Sequence, residues 1–268
     1  MRARFTVPAF RCGLLVVVSV VVTAVPAAAK ILKTRPAPSA DWTSAVVIGS
    51  GVEIESDSEQ TQYDFPMLIE YHFSEFLQLT VEPDIVHIES KAPDVRTVSG
   101  LGDLETTLEY EFLHERRYRP ALAAGGAIKF PTSTDPDLGS PKFDYTLGLI
   151  ASKDLVFADL DLNLAYTFIG DCNVQDVIEL SVAAEWPVTY FLDVLTEVTT
   201  TFGTGAVRGR SGTLTGLGGS GNAGSETEGL LGFAVHVNKF LKLEQGIVRK
   251  SDQSWQFVFA WEYAFGGD

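Results

Sequence analysis

His72 and Ser74 stand two residues apart in a run that alternates large and polar side chains from Gln62 to Phe73. On an extended chain such positions share a face, which is the spacing that a base and a hydroxyl nucleophile require. Such a pair also needs a third group to orient the imidazole, and the sequence identifies no Asn or acid in that role. The other histidines, His87, His114 and His236, are scattered among strands and a turn, without metal-ligand spacing. Gly216, Gly218 and Gly221 fit GxGxxG literally, but no helix pattern follows them, so the context of a dinucleotide site is missing. Asp135-Pro136-Asp137 offers two carboxylates, which turn formation explains as well as calcium does. The expectation is a protein with no catalytic residues, no cofactor and no metal site.

The charged residues that recur with strand spacing are more informative. Asp103, Glu105, Glu109, Glu111, Asp144, Asp159, Asp161, Glu179, Asp193 and Glu197 fall on the polar face of alternating runs, with Lys129 among them. Asp64, Glu70, Glu185, Glu244 and Glu262 repeat the pattern, and Lys142 and Lys242 are the other bases on that face. If the opposite face meets lipid, this face lines a lumen. Two readings stay open: an acid-lined channel that favours cations, or wall-to-wall networks between acids and bases in a filled core.

The elements that position these groups are strands. From Trp255 to Phe265, Trp255, Phe257, Phe259, Trp261, Tyr263 and Phe265 alternate with Gln256, Val258, Ala260, Glu262 and Ala264. A period of two is a strand, and the run has about the length that a tilted strand needs to cross a bilayer. Eleven earlier runs alternate likewise. The first lies at about Trp42–Glu55, the second ends at Phe73, and the third covers Leu77 to Glu82. The fourth spans Asp103–Phe112, followed by runs through Phe130, Leu149, Phe168, Trp186, Phe202, Val237 and Ile247. Connections near Ser74, Lys153, Trp186 and Asn238 are tight, that at Arg116-Arg117 is somewhat longer, and 91–100, 131–141 and 203–225 are long. Short turns at one rim and long loops at the other mark an outer-membrane barrel. The fold expected is all-β, a single transmembrane antiparallel up-and-down β-barrel of about 12 strands. Strand spacing and tilt give a cylinder roughly 24 Å across. A soluble β-sandwich also alternates, but it would have to cover many aromatic faces within one domain.

Residues 1–29 read as a cleaved secretory signal peptide: Arg2, Arg4 and Arg11, an apolar Leu14–Val22, and Ala27-Ala28-Ala29 for cleavage. Removing them takes away three arginines and no acids, moving the formal charge from −15 to −18, which argues against nucleic acid as a partner. Cys172 then remains alone, so there is no disulfide framework. Residues 30–41, with Pro36 and Pro38 and no periodicity, read as a loose periplasmic segment, and 42–268 as the barrel. The bacterial outer membrane is the expected location. A lipid bilayer, the outer-membrane assembly machinery and a small-molecule solute are the expected partners.

Several pieces occur in a recognisable order: Gly100-Leu101-Gly102-Asp103-Leu104, Pro120-Ala121-Leu122-Ala123, Ile128-Lys129-Phe130-Pro131-Thr132, Leu138-Gly139-Ser140 and Asp144-Tyr145. Gly148-Leu149-Ile150-Ala151-Ser152-Lys153, Asn163 to Gly170 and Glu197-Val198-Thr199 follow. This order resembles the outer-membrane transporter family named after the meta pathway of phenol degradation. The resemblance implies a barrel that passes small, often aromatic, molecules into the periplasm. Ser133 stands where that family often has Gly, and the chain runs on past Phe265 with Gly266-Gly267-Asp268. The His72/Ser74 spacing is also similar to that of a twelve-stranded outer-membrane phospholipase, but a place beside a periplasmic turn, facing away from lipid, is wrong for outer-leaflet hydrolysis. A channel or transporter is therefore expected, with a structural or adhesive barrel of filled lumen as the alternative and a lipid hydrolase last.

Overall fold

The computed structural model describes residues 31–39, 46–57, 59–92, 96–171, 174–204 and 224–265. The leader, the first strand's start at Trp42, Cys172, the glycine-rich stretch around Gly216 and the tail after Phe265 lie outside these.

The alternating runs fold into β1 (Val46–Ser56), β2 (Gln60–Ser74), β3 (Leu77–Glu82 continued by Asp84–Ser90) and β4 (Val98–Leu101 continued by Leu104–Leu113). They go on as β5 (Ala121–Phe130), β6 (Asp144–Leu155), β7 (Ala158–Phe168), β8 (Val177–Thr189), β9 (Leu192–Thr204), β10 (Gly224–His236), β11 (Leu241–Lys250) and β12 (Trp255–Phe265). The third and fourth strands are longer than the sequence suggested. Pro83 has no N–H to give the ladder, so β3 breaks there. Opposite the break, β4 is interrupted at Gly102-Asp103, and Gly102 N donates to Asp84 O at 2.9 Å. Pairing then resumes, with Gln60–Pro66 of β2 against Asp84–Ser90, and Ile85–Ile88 against Val98–Leu101.

Each strand pairs antiparallel with the next, and β1 pairs both with β2 and, from Val46↔Phe265 to Ser56↔Trp255, with β12. The sheet is a closed barrel of twelve strands without a free edge, and the described residues contain no helix. A two-sheet sandwich is thereby set aside.

Burial in the wall is inverted relative to a soluble protein. Tyr110, Leu147 and Leu149 are 56%, 60% and 55% exposed, while Thr107 and Glu109 are each 2% exposed. The strand period of two sends one set outward and the other inward, so the apolar set forms a lipid-type surface. Trp255, Phe257, Tyr263 and Phe265 of β12 belong to this outer surface, and Gln256, Val258 and Ala260 point in. Connections at one rim are mostly short (75–76, 156–157, 190–191, with 114–120 the longer exception), while those at the other include 91–97, 131–143 and 169–176.

Candidate functional site

The interior wall carries the acids. Of those expected to line it, Asp103, Glu105, Glu109, Glu111, Asp144, Glu179, Asp193 and Glu197 are buried in the barrel. Lys129 and Asp161 are half-buried, and Asp159 is exposed at the short-turn rim. Lys142, expected among the inner bases, sits exposed in the connection before β6 instead. That connection does not follow the wall's alternation, so strand spacing could not place it.

The main correction concerns residues 31–39. Read from the sequence as a loose periplasmic segment, they lie inside the barrel and cross it. Ile31, Thr34, Arg35 and Ala37 are all buried. With no neighbouring strand to pair with, the segment gives its backbone N–H groups to wall side chains, as buried donors must find partners. Ile31 N donates to Glu244 Oε2 at 2.8 Å, and Lys33 N to Glu197 Oε2 at 3.1 Å. Ala37 N donates to Ser152 Oγ at 2.7 Å, and Ser39 N to Glu111 Oε2 at 3.0 Å. Asn163, in the amide orientation that satisfies both neighbours, accepts from Arg35 N at 2.6 Å and donates to Arg35 O at 2.9 Å.

Two cations on this segment answer the excess of carboxylates. Lys33 Nζ is ion-paired with Glu228 of β10. Arg35 reaches the opposite wall, where Nη2 lies 2.6 Å from Glu82 Oε2 and Nη1 3.6 Å from Glu109 Oε1. Lys242 pairs with Glu244 at 2.9 Å and Glu185 at 3.4 Å, and Lys250 with Glu55 at 2.7 Å. Sequence spacing found Lys242 but missed Lys33, Arg35 and Lys250.

Space for the segment is built into the wall. Gly232 of β10 faces Gly246 of β11 across the ladder. A Cβ at these positions would stand 2.8 Å and 3.1 Å from Ile31 Cδ1. Ile31 fills this recess beside Leu195, Leu230 and Val248.

At the long-loop end a different element is fastened to the wall. Asp103 accepts from Ser133 N at 3.2 Å and from Ser140 N at 2.8 Å, so it ties the 131–143 connection to the wall. Lys129 is ion-paired with Asp144 and lies 3.6 Å from Asp103. Leu138, at 1% exposure, tucks in against Val86 and Val98. Asp144 accepts from Gly170 N at 2.8 Å, so Asp103 and Asp144 both fasten loops as well as facing inward.

His72 and Ser74 are not brought together as a pair. The strand register shifts between them, leaving His72 buried and Ser74 exposed. An acid near His72 is present after all: Glu70 Oε1 lies 2.8 Å from His72 Nε2. Ser74 Oγ accepts from Phe76 N at 3.2 Å, as a turn residue does. The barrel also gathers Glu185, Asp193 and His236, with ligand atoms within 4.8 Å of one another. These residues come from three adjacent strands, so linear spacing could not show the grouping.

No curated protein matches this sequence. Among solved structures, the fold is similar to the COG4313 outer membrane channel from Pseudomonas putida F1, with a TM-score of 0.58 and 13% identity over 83% of this chain and 96% of that one. It is similar to the KdgM porin in complex with disordered oligogalacturonate (TM-score 0.55, 10% identity, 81% and 99% covered). The NanC porin gives a TM-score of 0.56 at 9% identity, with 82% and 100% covered. At these identities the likeness is one of fold, that of an outer-membrane porin-like barrel. The family model described as "Putative MetA-pathway of phenol degradation" matches residues 34–228, from the segment inside the lumen to the partner of Lys33 on β10, and the chain belongs to that family.

Proposed function

We propose that the protein is an outer-membrane channel that admits small solutes through an acid-lined lumen. The observation that carries this reading is the inverted wall, with Leu147 and Tyr110 outside and Glu105, Glu109, Glu179 and Glu197 inside. A closed wall of this kind has its polar face available only to what enters the barrel. On this reading the short-turn rim faces the periplasm, residues 1–29 direct export, and the outer-membrane assembly machinery inserts the chain. Buried carboxylates exceed the cations of the wall itself, which favours cations over anions. The family's description points to phenol degradation, so small aromatic compounds belong in the first solute panel beside simple cations.

A second reading, a structural barrel with a filled lumen, draws support from residues 31–39 crossing the interior. Permeation separates the two. Protein purified from outer membranes, its fold checked by heat-modifiable gel migration, is placed in a planar bilayer across a potassium chloride gradient. Discrete current steps with a cation-selective reversal potential are expected. A folded protein silent both as purified and after loss of the Lys33 and Arg35 side chains would favour the filled barrel, and an anion-selective potential would overturn the acid-lined reading.

A further inference from the structure

Arg35 lies in the middle of the lumen yet belongs to no strand of the wall. Its side chain and its backbone are held by different elements. Thr80 and Glu82 of β3 and Glu109 of β4 take the guanidinium, at 3.2 Å from Thr80 Oγ1, 2.6 Å from Glu82 Oε2 and 3.6 Å from Glu109 Oε1. Asn163 of β7 takes the backbone. A flat fork of N–H donors set between two carboxylates from neighbouring strands is the arrangement by which a free guanidinium is bound. Cavities flank the side chain on both sides. One of about 20 Å³ is lined by Thr107, Glu109 and Gly125, and one of the same size by Glu70, Gln78 and Glu82. Each has room for about one water molecule, so the surroundings of the guanidinium are not packed solid.

We propose that Thr80, Glu82 and Glu109 form a binding site for a small solute bearing a guanidinium or ammonium group, and that Arg35 occupies it as a tethered stand-in that such a solute displaces. The proposal rests on the channel reading above and narrows its solute class.

Charge decides which solutes can make the exchange. Glu82 and Glu109 are 8% and 2% exposed. Withdrawal of Arg35 alone would take from two buried carboxylates the cation that they share, which is unfavourable. A cation arriving in the same place removes that penalty, whereas an anion or a neutral molecule of similar size does not. The contact between Lys33 and Glu228 on the opposite wall repeats the logic with an ammonium group. The segment thus holds the lumen shut against solutes that cannot replace its charges.

The test uses the full-length protein with Arg35→Ala, purified from outer membranes and shown to be folded by heat-modifiable migration. Calorimetry follows binding of two α-N-acetylated amides, those of L-arginine and of L-citrulline, the second of similar shape and without charge. Arginine amide is expected to bind Arg35→Ala at least about tenfold more tightly than it binds the unaltered protein, and about tenfold more tightly than citrulline amide does. Adding Glu82→Gln and Glu109→Gln abolishes that preference. Should that variant not fold, Thr80→Val serves in its place and weakens binding of arginine amide. No binding to folded Arg35→Ala, or equal binding of the two amides, overturns the proposal. Planar-bilayer recording of the same Arg35→Ala protein separates the two readings. Current steps without binding leave the channel and remove the site, and binding without steps leaves the site and removes the channel.

Discussion

Glu197 and Thr34 are joined twice: Glu197 Oε1 accepts the Thr34 backbone N–H at 2.6 Å and its hydroxyl at 2.5 Å. The other oxygen of the same carboxylate takes Lys33 N. One side chain of β9 thus satisfies three donors of the segment that crosses the lumen. Glu197→Ala removes all three bonds and leaves the donors buried. At about 1 kcal/mol net or more for each bond, the segment's hold weakens by about 3 kcal/mol or more. Single-channel recording is expected to show a larger or more frequent open state, and hydrogen exchange a faster rate at Lys33 and Thr34. Unchanged current with unchanged exchange would mean that the segment is held elsewhere.

The recess for Ile31 gives an independent handle on the same segment. Gly246→Val places branched carbon atoms where Ile31 Cδ1 now lies, and overpacking of this kind costs about 1–3 kcal/mol. The new Cβ would also meet Leu231 O at 3.2 Å and Gly232 Cα at 3.3 Å, but these are backbone atoms held in the β10–β11 ladder, so the Ile31 side chain is the neighbour best able to yield. The expected result is faster exchange at the Ile31 amide with little change in barrel stability. A large fall in the unfolding midpoint of the whole barrel would show that the strands yielded instead.

The outer face is tested by placing a charge on it. Leu149 lies midway along β6 and is 55% exposed. Leu149→Arg in lipid vesicles should destabilise the barrel by about 2–4 kcal/mol, while Leu149→Phe should be close to neutral. Urea unfolding of vesicle-inserted protein measures both. Equal tolerance of the two would mean that this face does not meet lipid.

At the long-loop rim, Asp135 joins two connections. It accepts the backbone N–H of Asp137 at 3.1 Å, and Arg96 Nη2 lies 2.6 Å from its other oxygen. The backbone bond first, and the Arg96 contact after it, hold the Asp135 carboxyl below the usual range. With the folded value depressed, the contact's contribution is complete above the unfolded aspartate pKa of about 3.9 and is lost as pH falls through the lower folded value. The contact is therefore expected to be intact at about pH 5 and to open only below about pH 4. A carboxyl titration by nuclear magnetic resonance reads this directly. Arg96→Ala should raise the midpoint only part of the way, because the Asp137 N–H remains.

Most of the wall was legible because lipid outside and polar groups inside impose one rule along each strand, as in Tyr110 and Phe112 against Glu109 and Glu111. The rule weakened at Ile85, Val86 and Ile88, where apolar residues occupy both faces, and the continuation of β3 beyond Pro83 went unseen. It had nothing to say about residues 31–39, whose conformation is set by partners far along the chain, such as Glu244 for Ile31 at a separation of 213 residues. Leu138 was hidden in a polar loop for a related reason, since its apolar partners Val86 and Val98 lie on strands well before it. The acids were found, and with them Lys129 and Lys242, but the cations Lys33 and Arg35 were not, because they stand in a stretch with no period to read. His236 meets Asp193 and Glu185 only because consecutive hairpins bring three strand ends to one rim.

The crossing segment also has a mechanical consequence. A ring of hydrogen-bonded strands resists stretching along its ladder but flattens easily, since ovalising it breaks no ladder bond. Lys33 fastened to Glu228 and Arg35 fastened to Glu82 and Glu109 act as a tie-beam between opposite sides of that ring. With the beam in place the separation of those two sides is held. On the channel reading, a solute that displaces the beam would also release this tie, so that the aperture and the compliance of the wall would change together.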